Sequence, residues 1–432
     1  MVRIWAVFLL LVMVLPVAGS AQNETATPVF ALIEKFDHIA ARPLWPGFDP
    51  LHTPIELFDG TNTYLYRHPA PPKEFTPVKG HPGVYVFPGR HSTVAADTAA
   101  DLAGVLTATM IFHAADEASA AVLAHECFHV FQARQHPSWT ANEVSLFTYP
   151  NTNPENLALM RLEMEAMRRA LAAATPECWA ARVRAIRSER FALLPPDAIA
   201  YERGTELHEG LAQYIQDLAR GQQKWESRTF GPEEVRLRGY ASGDGLARVL
   251  DRVNPNWKSR IGNSLDELLP TSDSAACAFT DMETNAAKEQ ALSDVKALQD
   301  QKGQLQAAFD AQPGWRVIVV SAKDKPLLLD AFDPMNISAL SSDTILHKRW
   351  LKLHNASGSL EIMNHGSVTR GVGAHPLFTG IATWKTAGLS GQPEVKQDGS
   401  KVTLSSPVLN ASFSNANLET NENSQTITIR LQ

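Results

Sequence analysis

Cysteine is scarce in this chain, at three in 432 residues, and there is no excess of basic residues: 39 Lys and Arg stand against 46 Asp and Glu. The formal net charge of −7 and a pI near 6.1 give no electrostatic footprint for nucleic acid. Past residue 21 no stretch is long and apolar enough to span a bilayer, and no internal repeat is visible. The one long apolar run is at the start. Arg3 precedes it, and it ends in Pro16 and small residues up to Ala21. This pattern predicts a secretory signal peptide over residues 1–21, cut after Ala21 and leaving no membrane anchor. No cysteine follows closely, which argues against a lipoprotein. The expected location is secreted or periplasmic. In an oxidising compartment Cys178 and Cys277 can pair, whereas Cys127 reads as a packed core thiol.

Length favours two or three domains, and the composition shifts along the chain. Residues 22–112 are rich in Pro, Gly and aromatics, with runs such as Thr63-Tyr64-Leu65-Tyr66 and Val84-Tyr85-Val86-Phe87 that read as short strands between turns. The last run, residues 104–112, reads either as the edge strand of a catalytic domain, open to pairing with an extended substrate, or as an ordinary core strand. Residues 113–280 form a helical region, with helices expected near 155–174 and 198–220, and residues 281–314 a connecting helix. Residues 315–432 carry Val317-Ile318-Val319-Val320, Val402-Thr403-Leu404 and Thr426-Ile427-Thr428-Ile429, which read as a β-rich, sandwich-like domain. The expected class is α+β, with a mainly helical domain between two strand-rich regions.

The helical region contains His125-Glu126-Cys127-Phe128-His129. Its surroundings, residues 116–135, hold no Gly or Pro, are rich in alanine and begin with Asp116 and Glu117, where the helix dipole favours acids. On a helix, residues four apart share a face, so the two imidazoles can close on one metal ion. Glu126 then lies beside the open position, placed to take a proton from a water there. Polar groups on a helix flanked by Leu123, Phe128 and Val130 need partners, and a metal supplies one.

A catalytic zinc takes three protein ligands and a water. No third histidine follows within the required turn, because His136 lacks a preceding glycine. A glutamate on a later helix is the alternative, and Glu209 in Glu206-Leu207-His208-Glu209-Gly210-Leu211-Ala212 offers one. Small neighbours at Gly210 and Ala212 would let its helix approach the His125/His129 helix. Glu206, Glu163 and Glu165 compete for the same role. Here the chain resembles the glutamate-zincins, the clan of thermolysin and the alanyl aminopeptidases. In the aminopeptidase branch the third ligand sits in a Glu-Gly-Phe-Ala-like segment, matched by Glu209-Gly210-Leu211-Ala212. Tyr240-Ala241-Ser242-Gly243 resembles that branch's Tyr-x-x-Gly element, whose hydroxyl steadies the oxyanion. His208 is a second candidate donor. The chain departs from the family in placing Glu209 80 residues after His129, and it lacks the Gly-x-Met-Glu-Asn grip on a free α-amine.

The resemblance covers roughly residues 104–250. It implies a zincin-like fold, Zn²⁺ on His125, His129 and Glu209, Glu126 as general base, Tyr240 as oxyanion donor and a peptide or protein as substrate. The alternative is an exported zinc-binding but inactive protein that engages a partner through its β-rich C-terminal domain.

Overall fold

The structure is a computed structural model that describes residues 27–271, 275–333 and 336–432. The signal peptide expected at residues 1–21 lies outside them. The fold is mixed α+β: an N-terminal sheet, a central helical region and a C-terminal region of two β-sheets. Two compact units divide the chain. One runs to Trp139 and takes in Leu211–Lys224, and the other comprises Thr140–Gly210 and Trp225–Gln432.

The first unit opens with helix α1 (Thr27–Ala40), in a region whose composition suggests only strands and turns. Val29, Leu32, Ile33, Phe36 and Ile39 are its buried residues, at the spacing of one helical face. Strands β1 (Ile55–Phe58), β2 (Asn62–Tyr66), β3 (Thr76–Pro77), β4 (Val84–Pro88), β5 (Thr98–Leu102) and β6 (Val105–Ile111) form one sheet in the order β3-β4-β2-β1-β6-β5. β1 and β6 run parallel, and the other pairs are antiparallel.

The edge-strand reading of residues 104–112 is therefore corrected: β6 is paired on both sides, and the exposed edge belongs to β5. The cause is local. Ala103 and Gly104 both have positive φ, 52° and 83°, the conformation of a two-residue hairpin turn, and it folds β5 back along β6.

Helix α2 (Glu117–Gln135) follows. The Asp116 side chain accepts from the Ser119 amide at 2.8 Å and caps it. α2 packs against α1, β6 and helix α6 (Leu211–Ala219). Its buried Phe128 meets Trp45 edge-on at 5.4 Å, and Trp45 in turn meets Tyr214 of α6 at 6.3 Å.

The second unit contains α3 (Pro154–Ala172), α4 (Glu177–Phe191), α5 (Pro196–Thr205), α7 (Val235–Val253) and α8 (Asp281–Asp310). A capping box between Thr280 and Glu283 starts α8. Cys178 and Cys277 form a disulfide with a Cα separation of 5.9 Å, and Cys127 is a buried thiol outside it. From Trp315 onward a seven-stranded and a six-stranded sheet share one core. Val319, Trp384 and Ile429 of the first pack in it with Leu353, Ile362 and Phe413 of the second. Among the described residues no helix is long and apolar enough to cross a membrane.

Candidate metal centre

His125, Glu126 and His129 lie mid-helix in α2, each only 6% exposed. The two imidazole centroids are 4.7 Å apart with their planes 80° to each other, so the rings converge without stacking. Nδ1 of His129 lies 2.8 Å from Oε1 of Gln132. Donation from Nδ1–H to that oxygen leaves Nε2 with its lone pair, the tautomer a metal requires.

Glu209 sits in a π-helical turn, Glu206–Gly210, between α5 and α6. One extra residue per turn re-aims the side chains it carries, and such bulges concentrate at functional sites. Glycines let α7 press on this turn. A Cβ at Gly210 would meet Cα of Gly243 at 2.5 Å, one at Gly243 would meet the Glu206 carbonyl oxygen at 2.6 Å, and one at Gly239 would meet Cγ2 of Thr205 at 2.5 Å. Gly210 thus serves approach to α7, a correction to its expected role toward the His125/His129 helix. The part that packs on α2 is α6, where Ala212 is fully buried.

The metal-ligating atoms of His125, His129 and Glu209 all lie within 4.8 Å of one another, and all three residues are buried. Two imidazoles and one carboxylate are the donor set of hydrolytic zinc sites, so the residues present fit the ion.

The three competing glutamates are engaged elsewhere. Both oxygens of Glu163 are taken, Oε1 by Arg187 at 2.5 Å and Oε2 by Arg190 at 2.9 Å. Glu206 accepts from Arg187 and from Ser242, each at 2.6 Å. Glu165 pairs with Arg168 and Arg169 on the surface of α3.

Glu163, Glu202 and Glu206 with Arg187, Arg190 and Arg238 form a charge-balanced buried network that ties α3 and α4 to the turn bearing Glu209. Burial pushes the Glu202 carboxyl up, but Arg190 and Arg238 outweigh it and hold the group well below the usual range. At Glu206 burial wins over Arg187, and the carboxyl stays above its ordinary value. Sequence reasoning missed these arginines, since a buried arginine carries the same letter as a solvated one.

Tyr240 lies in the second turn of α7. Its hydroxyl donates to Glu209 and accepts from Nη1 of Arg236 at 2.9 Å. Burial first, and Glu209 next, raise the phenol above its ordinary value, so it stays protonated. Arg236, also missed from sequence, donates from Nη2 to Oε1 of Glu209 at 2.7 Å. His208 is in the π turn beside Glu209 and is partly exposed.

Comparison of the chain with protein-family models, with curated proteins and with solved structures finds no match. The candidate metal centre therefore rests on the residues themselves.

Proposed function

We propose that the protein is an exported zinc-dependent metallohydrolase of the glutamate-zincin type, acting on peptide bonds. The observation that carries this reading is the buried meeting of His125, His129 and Glu209, with Glu126 in the same helical turn as His125. Bound zinc would supply Lewis-acid polarisation of a carbonyl and a water of lowered pKa. Glu126 accepts the proton of the attacking water on its carboxylate and returns it to the leaving amine. Gln132 holds the His129 ring in its ligating tautomer. Tyr240, whose hydroxyl donates to Glu209 in the absence of substrate, would turn that donation to the charge developing on the carbonyl oxygen. The apolar run at residues 1–21 and the Cys178–Cys277 disulfide support export.

The test is Glu126→Gln. Hydrolysis of a peptide library should fall by roughly 10²–10⁴-fold while zinc content stays at the wild-type level. Undiminished hydrolysis would refute the general-base role. Wild-type protein that holds zinc and cleaves nothing would favour a binding module built on the C-terminal sheets.

A further inference from the structure

Arg236 is the second residue of α7, and its side chain is 42% exposed although it touches a buried carboxylate. An arginine has five N–H donors. Three are used here: Nη2 to Oε1 of Glu209 at 2.7 Å, Nη1 to the Tyr240 hydroxyl at 2.9 Å, and Nε to Oε1 of Glu143 at 3.5 Å. One N–H on each terminal nitrogen remains. The guanidinium also lies over the Tyr240 ring, 5.3 Å from its centroid. Glu209 and Tyr240 thus hold the fork in place, so little further ordering is required when it takes a ligand.

A guanidinium on Glu209 competes with a metal dication for the same negative charge. An anion arriving with the substrate would take up that positive charge once a metal holds Glu209. The third contact is the one that can yield. Glu143 is 52% exposed, and its distance to Nε is at the limit of a hydrogen bond.

We infer that Arg236 recognises a carboxylate of the substrate, so that the peptide cleaved carries its free C-terminal carboxylate next to the scissile bond. The inference rests on the peptidase reading above and names its substrate class. In the reaction the C–N bond of the last peptide link breaks and a C–O bond forms to water. The products are a shortened peptide with a new carboxylate and a free amino acid whose amine takes the proton carried by Glu126.

The test uses the full-length protein stripped of metal, titrated by calorimetry with an N-acetylated dipeptide as its free acid and as its C-terminal amide. Wild type should bind the acid about tenfold or more tightly than the amide, as a charge-assisted bidentate pair requires. Arg236→Gln should abolish the difference, and Arg236→Lys should keep part of it. Equal binding of acid and amide by wild type, or a difference that survives Arg236→Gln, would overturn the inference. If Arg236→Gln weakens both ligands equally, Arg236 only positions Glu209 and the inference also fails. Acid selectivity in a protein that hydrolyses nothing would support recognition by Arg236 and count against the peptidase reading alone.

Discussion

Nδ1 of His129 lies 2.8 Å from Oε1 of Gln132, one helical turn further along α2. The neutral imidazole donates there as the tautomer whose Nε2 carries the lone pair that a metal takes. Gln132 is itself 1% exposed, so no water can replace it cheaply. Gln132→Leu should therefore weaken zinc binding by roughly 10–100-fold, read by competition with a chromophoric chelator. Far-UV circular dichroism should be unchanged.

Gly243 meets backbone, not flexible side chains. An added Cβ would sit 2.6 Å from both the Glu206 carbonyl oxygen and the Gly210 Cα. Helix propensity would favour alanine by about 1 kcal/mol, but overpacking costs about 1–3 kcal/mol and neither backbone can retreat. Gly243→Ala should lower the denaturation midpoint and also the zinc content, because the π turn carrying Glu209 must shift.

Arg187 is 1% exposed and holds Glu163 and Glu206 together. Arg187→Met fills a similar volume but leaves the buried Glu206 without its cation and Glu163 with Arg190 alone. A loss of about 3–5 kcal/mol in urea unfolding is expected. A loss under about 1 kcal/mol would mean the network contributes little.

Burial, and after it the nearby His375, lower the pKa of His347 from an ordinary 6.5 to about 3. Its Nε2 is 2.9 Å from the Thr369 hydroxyl, and the residue is 1% exposed. In this window the unfolded chain binds a proton that the folded one refuses, so stability rises with pH. The contribution is fully present above pH 6.5 and is lost as pH falls toward 3. The loss should reach on the order of a few kcal/mol near the low end. Denaturation midpoints at about pH 7 and about pH 4 should lie closer together in His347→Gln than in wild type.

The parts of this architecture legible in the sequence are those written in local periods. The His125/His129 pair and its helix follow from four-residue spacing and an unbroken run of helix formers. The C-terminal strands follow from β-branched runs such as Val317–Val320. Glu209 was legible only through its small neighbours and a family resemblance. The π turn that carries it leaves no compositional trace, since one extra residue in a helix looks like any other. Residues 27–40 read as part of a strand-rich region because the Pro and Gly that follow dominate the window, although their apolar spacing is helical. Whether residues 104–112 form an edge or an interior strand stayed open, because the turn that folds β5 back on β6 puts alanine, at Ala103, in a positive-φ position that glycine or asparagine normally marks. The arginines around Glu163 and Glu206 were invisible for a different reason. Only tertiary packing distinguishes a charge that neutralises a buried carboxylate from one that faces water.

The claim on which the rest depends is that His125, His129 and Glu209 jointly hold a metal ion. It is tested most directly by elemental analysis of purified wild type beside Glu209→Gln, Glu206→Gln, Glu163→Gln and Glu165→Gln, each checked for folding by circular dichroism. The account requires stoichiometric zinc in wild type and Glu165→Gln, zinc retained in whatever fraction of Glu163→Gln and Glu206→Gln remains folded, and zinc lost from folded Glu209→Gln. Full zinc occupancy in Glu209→Gln, or a wild-type protein that takes up none, would contradict it.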